Sequence, residues 1–341
     1  MTEGRTEVED LKRNFVLALR KNTKRPSSST ISMNVINFLR KIILVEKVKT
    51  IAELLASLHN HAKFLSAVEP TELIIINIVL MTSKLARDEL NKKNGNGNIR
   101  AYDSLFTLCK PSEPTDMKDT DMKKIKKDLI ESIRELTIEI DSCRESISAQ
   151  SSDLIFNQDV VMVYQLETSK TLYSFLAKTR EANRKYRVFN VIPESKNEEL
   201  NDFTSSIRLH DVASKICETT KVFLTCIAVF PDGSCLVPAG GQSIALMAKR
   251  HSVPVYVLAP FYKITPFFIP DPNALNISQR TNMPFEFSAK SAGNVEILQP
   301  AFDLLDSQYI FQFVSNSSCI IPAHINRLKE DYYHPEDIAL Y

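Results

Sequence analysis

Apolar residues recur at helical spacing through the first part of the chain. Val8, Leu11, Phe15 and Leu19 predict an amphipathic helix over 7–22. After the polar break KNTKRPSSST (Lys21 to Thr30), Val35, Phe38, Leu39, Ile42 and Ile43 predict a second helix over 31–47. Thr50 and Glu53 have the spacing of a capping box, in which two side chains satisfy N–H groups at a helix start, so a third helix runs from there to about Phe64. Pro70 suits the first position of a fourth, ending near Lys92. Its Ile74, Ile75, Ile76, Ile78 and Val79 exceed a single stripe, which predicts the central helix of a bundle. Asn91 to Asp121 is polar, contains NGNGN and two prolines, and reads as a loop or link with a short turn around Leu105 and Phe106. A long helix follows from about Asp121. Its Ile125, Leu129, Ile133, Leu136, Ile140, Cys143 and Ile147 alternate three and four apart, a seam narrow enough for helix-on-helix packing.

From Asp159 the pattern turns to short apolar runs. Val160 to Tyr164 and Val188 to Ile192 are strand-length, with a helix over 168–183 between them, and 206–218 reads as helical. Val222 to Lys263 organises this half. Val222 to Phe230 is an apolar run of strand length, and Asp232-Gly233 is a turn dipeptide. Gly240-Gly241 opens a helix over Gln242 to Arg250 with Ile244, Leu246 and Met247 on its apolar side. Pro254 to Leu258 is a second buried strand, stopped by Pro260. Strand, helix and strand in so short a span predict a βαβ unit, hence a parallel sheet covered by helices. Beyond it, Phe261 to Ala292 is proline-rich and irregular, Tyr309 to Val314 is a strand or short helix, and Pro322 to Asp331 is a helix. The expected class is α/β. A helical N-terminal domain with its polar linker occupies 1–120, and a long helix leading into the sheet domain occupies 121–341.

Composition narrows the function. At 341 residues with 44% apolar content, the chain has material for one large or two ordinary cored domains. Lys+Arg of 42 against Asp+Glu of 41 leaves no basic excess to bind DNA, and weak self-repulsion is compatible with assembly. The six cysteines are scattered with no C-x-x-C, as expected of reduced core thiols in a cytosolic protein. Leu73 to Met81 is too short to span a bilayer, and nothing near the N-terminus reads as a targeting segment. Seven glycines are few for loops that cradle phosphates, so no cofactor is expected.

Candidate chemistry is sparse. Gly240-Gly241 at a helix start has the form of an anion site, but close approach of helix to sheet accounts for it equally and is favoured, since no Lys or Arg adjoins the turn before Lys249. Asp232-Gly233 lacks a second carboxylate for a metal. His251 falls just past a helix end and reads as a cap. His59 and His61, two apart on a helix, do not face each other, so no zinc site is expected. Ser234 lacks a nucleophile-elbow pattern. Lys12, Arg13, Arg20, Lys21, Lys24 and Arg25 form a basic edge, by default a solvated face, with an acidic partner or RNA as the alternative.

Several stretches carry a resemblance. KRHSVPVYVLAPFYKITPFF (Lys249 to Phe268), FQFVSNSSCIIPAHINRLKEDYYHPEDIALY (Phe311 to Tyr341) and, more diffusely, FVLALRK, NVINFLRKIIL and EPTELIIINIV resemble the alpha, beta and delta subunit family of the guanine-nucleotide exchange factor for translation initiation factor two. Tyr333 to Asp337 favours the beta branch. The resemblance implies a helical domain followed by a Rossmann-like domain, in a cytoplasmic, non-catalytic scaffold. Implied partners are the alpha, delta, gamma and epsilon subunits, with exchange carried by epsilon, and initiation factor two, chiefly its alpha subunit in plain and phosphorylated forms. It also implies an interface with the delta subunit along a sheet edge and following loops at Gln158, Val160 and Asn190. The same fold family contains sugar-phosphate isomerases, which use a cysteine after the first strand and an aspartate after a later one. Here those places read Tyr164-Gln165-Leu166 and Thr225-Cys226-Ile227-Ala228, without either group, so proton transfer at carbon lacks its acid and base. Between Glu194 and Asp211 the chain is shorter than family members by roughly one helix, and Pro193 to Asp202 is polar and lacks the usual glycine. A sugar-phosphate isomerase-like or phosphate-binding enzyme is the alternative function, and a helical adaptor with a merely structural α/β half is a third.

Overall fold

The computed structural model describes residues 2–21, 27–46, 48–69, 72–93, 119–192, 204–268 and 300–339. Pro70, most of the expected link with its turn at Leu105 and Phe106, the short polar stretch Pro193 to Asp202, and most of Phe261 to Ala292 lie outside them. The chain forms two compact units, and these do not divide it at residue 120 as the linear reading expects. The first takes Met1–Ser146, Pro260–Phe267 and His324–Tyr341, and the second takes Ile147–Ala259 and Phe268–Ala323.

The first unit is helical: α1 (Thr2–Lys21), α2 (Ser28–Val45), α3 (Ile51–Val68), α4 (Leu73–Lys93) and most of α5 (Asp119–Ala149). The starts follow from local chemistry. Ser27 caps α2 by accepting the Thr30 N–H. Thr50 accepts the Glu53 N–H at 3.2 Å, while the Glu53 carboxylate reaches back to the Lys49 N–H at 2.8 Å, one residue before the usual box partner. The α5 seam is buried at every expected position from Ile125 to Ile147. Leu129, Ile133, Leu136, Ile140 and Cys143 share one core with α2, α3 and α4, which is why α5 groups with the bundle instead of opening a second domain. In α4, Ile74, Ile75, Ile78, Val79 and Leu80 are all buried, as its apolar excess predicts, whereas Ile76 is only partly so.

Two distant segments complete this core. Phe261, Tyr262 and Tyr333 bury within it. The fully buried Asn77 of α4 donates to the Tyr262 carbonyl at 3.1 Å. The C-terminal segment carries α10 (Ile325–Tyr332) and the short α11 (Pro335–Ile338). Lys84 donates to the Glu330 carbonyl at 3.0 Å, and Arg87 grips Asp337, whose side chain is fully buried.

The second unit is an α/β layer. Its main sheet contains β1 (Val160–Tyr164), β2 (Arg187–Ile192), β3 (Thr204–Arg208), β4 (Lys221–Thr225), β7 (Val255–Leu258), β9 (Gln312–Val314) and β10 (Cys319–Ile320), in the order β10-β9-β7-β4-β1-β2-β3. All pairs are parallel except β9 with β10. β1 is buried at all its positions, as expected where helices cover both faces. A small antiparallel sheet joins β5 (Ala228–Val229), β6 (Cys235–Pro238) and β8 (Phe302–Leu305).

Three expectations change here. The apolar run from Val222 splits: β4 ends at Thr225, and Ala228 and Val229 pair instead with β6. The βαβ unit stands, with β4 beside β7, but the β5–β6 hairpin is inserted before its helix, α9 (Gly241–Arg250). The expected helix at 206 gives way to β3, a polar strand (TSSIR) recruited by full pairing with β2. Only from Leu209 does the chain turn helical, through α8 (Val212–Lys215) and its flanking single turns. In α9 the buried residues are Gly241, Ile244, Ala245 and Ala248, and Leu246 points outward at 44% exposure. The helix over 168–183 is α7 (Lys170–Glu181), preceded by a 3₁₀ turn at Leu166–Thr168; α6 (Ser151–Leu154) is a short turn before β1.

Candidate functional site

Strand order locates the place where an open α/β sheet would bind a ligand. β2 and β3 lie to one side of β1, and β4, β7 and β9 to the other, so the direction of winding reverses between β1 and β4. Ligands of such sheets sit in the crevice beyond the strand carboxyl ends at that point. β1 ends on Tyr164, which is 2% exposed, and its hydroxyl donates to the Ala239 carbonyl. Burial raises the Tyr164 phenol above its ordinary value, so it stays an O–H donor at neutral pH.

Gly240 sits at φ 98°, and a Cβ there would stand 2.7 Å from the Tyr164 hydroxyl and 3.0 Å from Leu209. A Cβ on Gly241 would stand 2.8 Å from Val237. The two glycines thus serve close approach, the reading favoured from sequence. Two N–H groups at this helix start are engaged: one Asp303 oxygen accepts from Gly240 at 2.7 Å and from Gln242 at 3.3 Å. A carboxylate at a helix N-terminus is itself favourable, and here the chain provides it. Nothing in the sequence near residue 303 signals this partner.

The two places that the resemblance assigns to an isomerase's cysteine and aspartate are taken up structurally. Gln165 adopts a left-handed conformation at φ 51° and starts the Leu166–Thr168 turn. Cys226 is buried, and its thiol donates to the Leu258 carbonyl at 3.4 Å.

The three positions expected to line an interface do not share a surface. Gln158 is exposed in the turn before β1, at φ 67°, its N–H bonded to the Lys185 carbonyl at 2.7 Å. Val160 and Asn190 are 6% and 1% exposed. β1 is central, not an edge, and the Asn190 side chain accepts the Leu166 N–H at 3.3 Å. Of the expected set Gln158 alone is exposed, and Val160 and Asn190 are buried within the sheet. The surface beside Gln158 is one the sequence reading missed. Phe156, 53% exposed, lies with Lys221 Nζ 4.5 Å and Arg184 Cζ 5.4 Å from its ring centre. Phe311 and Ile321, 53% and 49% exposed, border a hollow of about 580 Å³ with Ile310, Pro322 and Asp232. No periodicity marks Phe156, Phe311 and Ile321, because each lies outside a helix or strand.

The two histidines of α3 serve packing. His61 Nε2 lies 2.9 Å from Glu46, which also accepts from Ser57 at 2.5 Å. Burial alone raises the Glu46 carboxyl, but the bonds to His61 and Ser57 outweigh it and hold the group below its ordinary value. His59 Nδ1 contacts the Leu55 carbonyl at 2.6 Å, and its Nε2 lies 3.7 Å from Asp337. Among the described residues no group of three or more His, Cys, Asp or Glu is placed to hold a metal ion, and no helix is long and apolar enough to cross a membrane. His251 caps α9 as expected. Of the basic edge, Lys12 lies 5.0 Å from the Phe64 ring and Arg13 is exposed; the side chains of Arg20, Lys21, Lys24 and Arg25 lie outside the described residues.

Comparison with known proteins agrees with this architecture. The chain is 27% identical over 263 residues to translation initiation factor eIF2B subunit beta of Dictyostelium discoideum, which covers 73% of this chain and 65% of that protein. It therefore spans about two thirds of the length of that relative. A shorter similarity, 31% over 118 residues, links 33% of the chain to 36% of the ribose 1,5-bisphosphate isomerase of Pyrococcus furiosus. A chain of the tetrameric eIF2B-beta2-delta2 complex from C. thermophilum shares the fold, with a TM-score of 0.71 at 19% identity over 98% of this chain and 99% of that one. Residues 24–322 match a single family across helical and α/β parts alike, and the chain belongs to the Initiation factor 2 subunit family.

Proposed function

We propose that this chain is a beta-type, non-catalytic subunit of the exchange factor that promotes GDP–GTP exchange on translation initiation factor two. One observation carries the reading: at the carboxyl end of β1, where an enzyme of this fold would hold its substrate, Tyr164 is bonded to Ala239 and packs close to Gly240, and the helix start there is occupied by Asp303. Where the chain's own groups occupy that point, its surfaces are left as its means of action. The similarity to beta subunits and the fold shared with a beta–delta tetramer support the same role. In this proposal the partners are the alpha, delta, gamma and epsilon subunits, exchange resides on epsilon, and the assembly works in the cytoplasm. Gln158 and the adjoining Phe156 form part of the contact with delta, a ring between two cations being the kind of anchor that interfaces favour.

Sensing of the phosphorylated alpha subunit of the substrate factor follows as linkage. A form of the substrate that prefers one arrangement of the assembly shifts it by its difference in affinity, with no chemistry on this chain. The test is co-expression with the four other subunits, followed by native mass measurement and exchange assays with and without this chain. A stable assembly whose response to phosphorylated substrate needs this chain is expected. Recovery of the chain as a lone monomer, or turnover of a ribose-1-phosphate analogue by it, would overturn the proposal.

A further inference from the structure

The cysteines among the described residues divide by surroundings. Cys143 and Cys235 are buried, and burial pushes the Cys143 thiol up to about 12 and that of Cys235 well above its ordinary value. Cys226 is buried and bonded to a carbonyl. Cys319 is half-buried, and burial raises its thiol too. Cys217 is exposed, and its sulfur lies 3.6 Å from Nδ1 of His251. Since the thiolate is the nucleophile, the first group is protected by neutrality and burial, whereas Cys217 has both access and a base.

Backbone structure holds the pair. Cys217 sits in the single turn Ile216–Glu218, anchored by the fully buried Ile216 and by the Thr219 hydroxyl, which donates to the Lys215 carbonyl at 3.0 Å. His251 is the C-terminal cap of α9, with its N–H bonded to the Met247 and Ala248 carbonyls at 3.2 Å each. An imidazolium formed there stands at the carboxyl end of a helix, where positive charge is favoured. The exposed Arg250 beside it complements an anionic reagent.

We infer that Cys217 is a site of reversible thiolation by small disulfides of the glutathione type, with His251 as its base. His251 Nδ1 takes the thiol proton, and the Cys217 thiolate attacks one sulfur of the disulfide. A new S–S bond forms as the old one breaks, so Cys217 is oxidised and the departing sulfur reduced. The departing thiolate takes the proton from His251 and leaves as free thiol.

The experiment exposes the reduced full chain to graded glutathione disulfide, quenches with acid and maps adducts by peptide mass spectrometry. The first adduct is expected on Cys217, forming about tenfold or more faster than on a free peptide of residues 212–221, and slowed by about tenfold or more in His251→Gln. Cys217→Ser removes it with circular dichroism unchanged. A first adduct on any other cysteine, Cys109 included, overturns the inference. So does a folded chain that reacts no faster than the peptide, a comparison that needs no variant. Equal rates in wild type and a folded His251→Gln do so as well.

Discussion

The clasp of Arg87 on Asp337 gives the sharpest test of the first unit, because its two halves should not cost the same. Arg87 donates through Nε at 3.2 and 3.0 Å and through Nη2 at 2.8 Å to the Asp337 carboxylate, and through Nη1 at 2.6 Å to Glu336. The Asp337 side chain is fully buried, whereas Arg87 keeps 23% exposure. Breaking a buried ion pair by removing one partner costs about 3–5 kcal/mol, mostly the penalty of the charge left behind. Arg87→Ala leaves Asp337 in the core with His59 Nε2 at 3.7 Å, so it belongs in that range, at about 4 kcal/mol. Asp337→Ala leaves a guanidinium that reaches water and keeps Glu336, so its cost falls to about 2–3 kcal/mol. Replacing both by apolar groups, Arg87→Met with Asp337→Leu, should cost less than Arg87→Ala alone, since no buried charge is stranded. The chain has no tryptophan, so urea unfolding is followed by far-UV circular dichroism, with hydrogen exchange of α4 and α11 to localise the effect. Either a larger loss for Asp337→Ala than for Arg87→Ala, or losses under about 1 kcal/mol for both, would refute the reasoning.

Tyr164→Phe should strip the Ala239 carbonyl of a buried donor and cost about 1–2 kcal/mol in urea unfolding, without creating affinity for a sugar phosphate in calorimetric titration. Gly240→Ala forces a left-handed backbone costing about 1–2 kcal/mol and adds a contact at 2.7 Å, so its urea midpoint should fall further than that of Ala239→Gly at the neighbouring position. The Glu46 carboxyl lies below its ordinary value when folded, so its contribution is present above the unfolded pKa and is lost as pH falls through the folded one. Stability measured from pH 7 downward should therefore fall more steeply for the wild type than for Glu46→Gln, and parallel curves would exclude that coupling.

Much of the first unit was legible because its information is local. The α5 seam, the Thr50 cap and the apolar girth of α4 all depend on spacing within a helix, and each took its expected place. Boundaries moved by a few residues where a side chain outside the periodic run supplied the cap, as Ser27 does for α2. β3 was illegible for the opposite reason. Its residues TSSIR carry no strand signature, and the segment is extended because β2 offers an unpaired edge beside it. The interface positions failed similarly: burial of Val160 and Asn190 follows from strand order, which no stretch of β1 or β2 encodes alone.

By itself the sequence determined most helices of the first unit, the parallel character of the layer and the family, because periodicity, turn chemistry and motif are properties of neighbouring residues. Only the tertiary structure decided that the chain's end belongs with its beginning, that Asp303 meets the start of α9 and Tyr164 meets Ala239, and that Cys217 meets His251. Those pairings join residues dozens of positions apart through a few hydrogen bonds and packed side chains. Such bonds impose no repeat on the sequence, and they come into being only when packing brings the partners together.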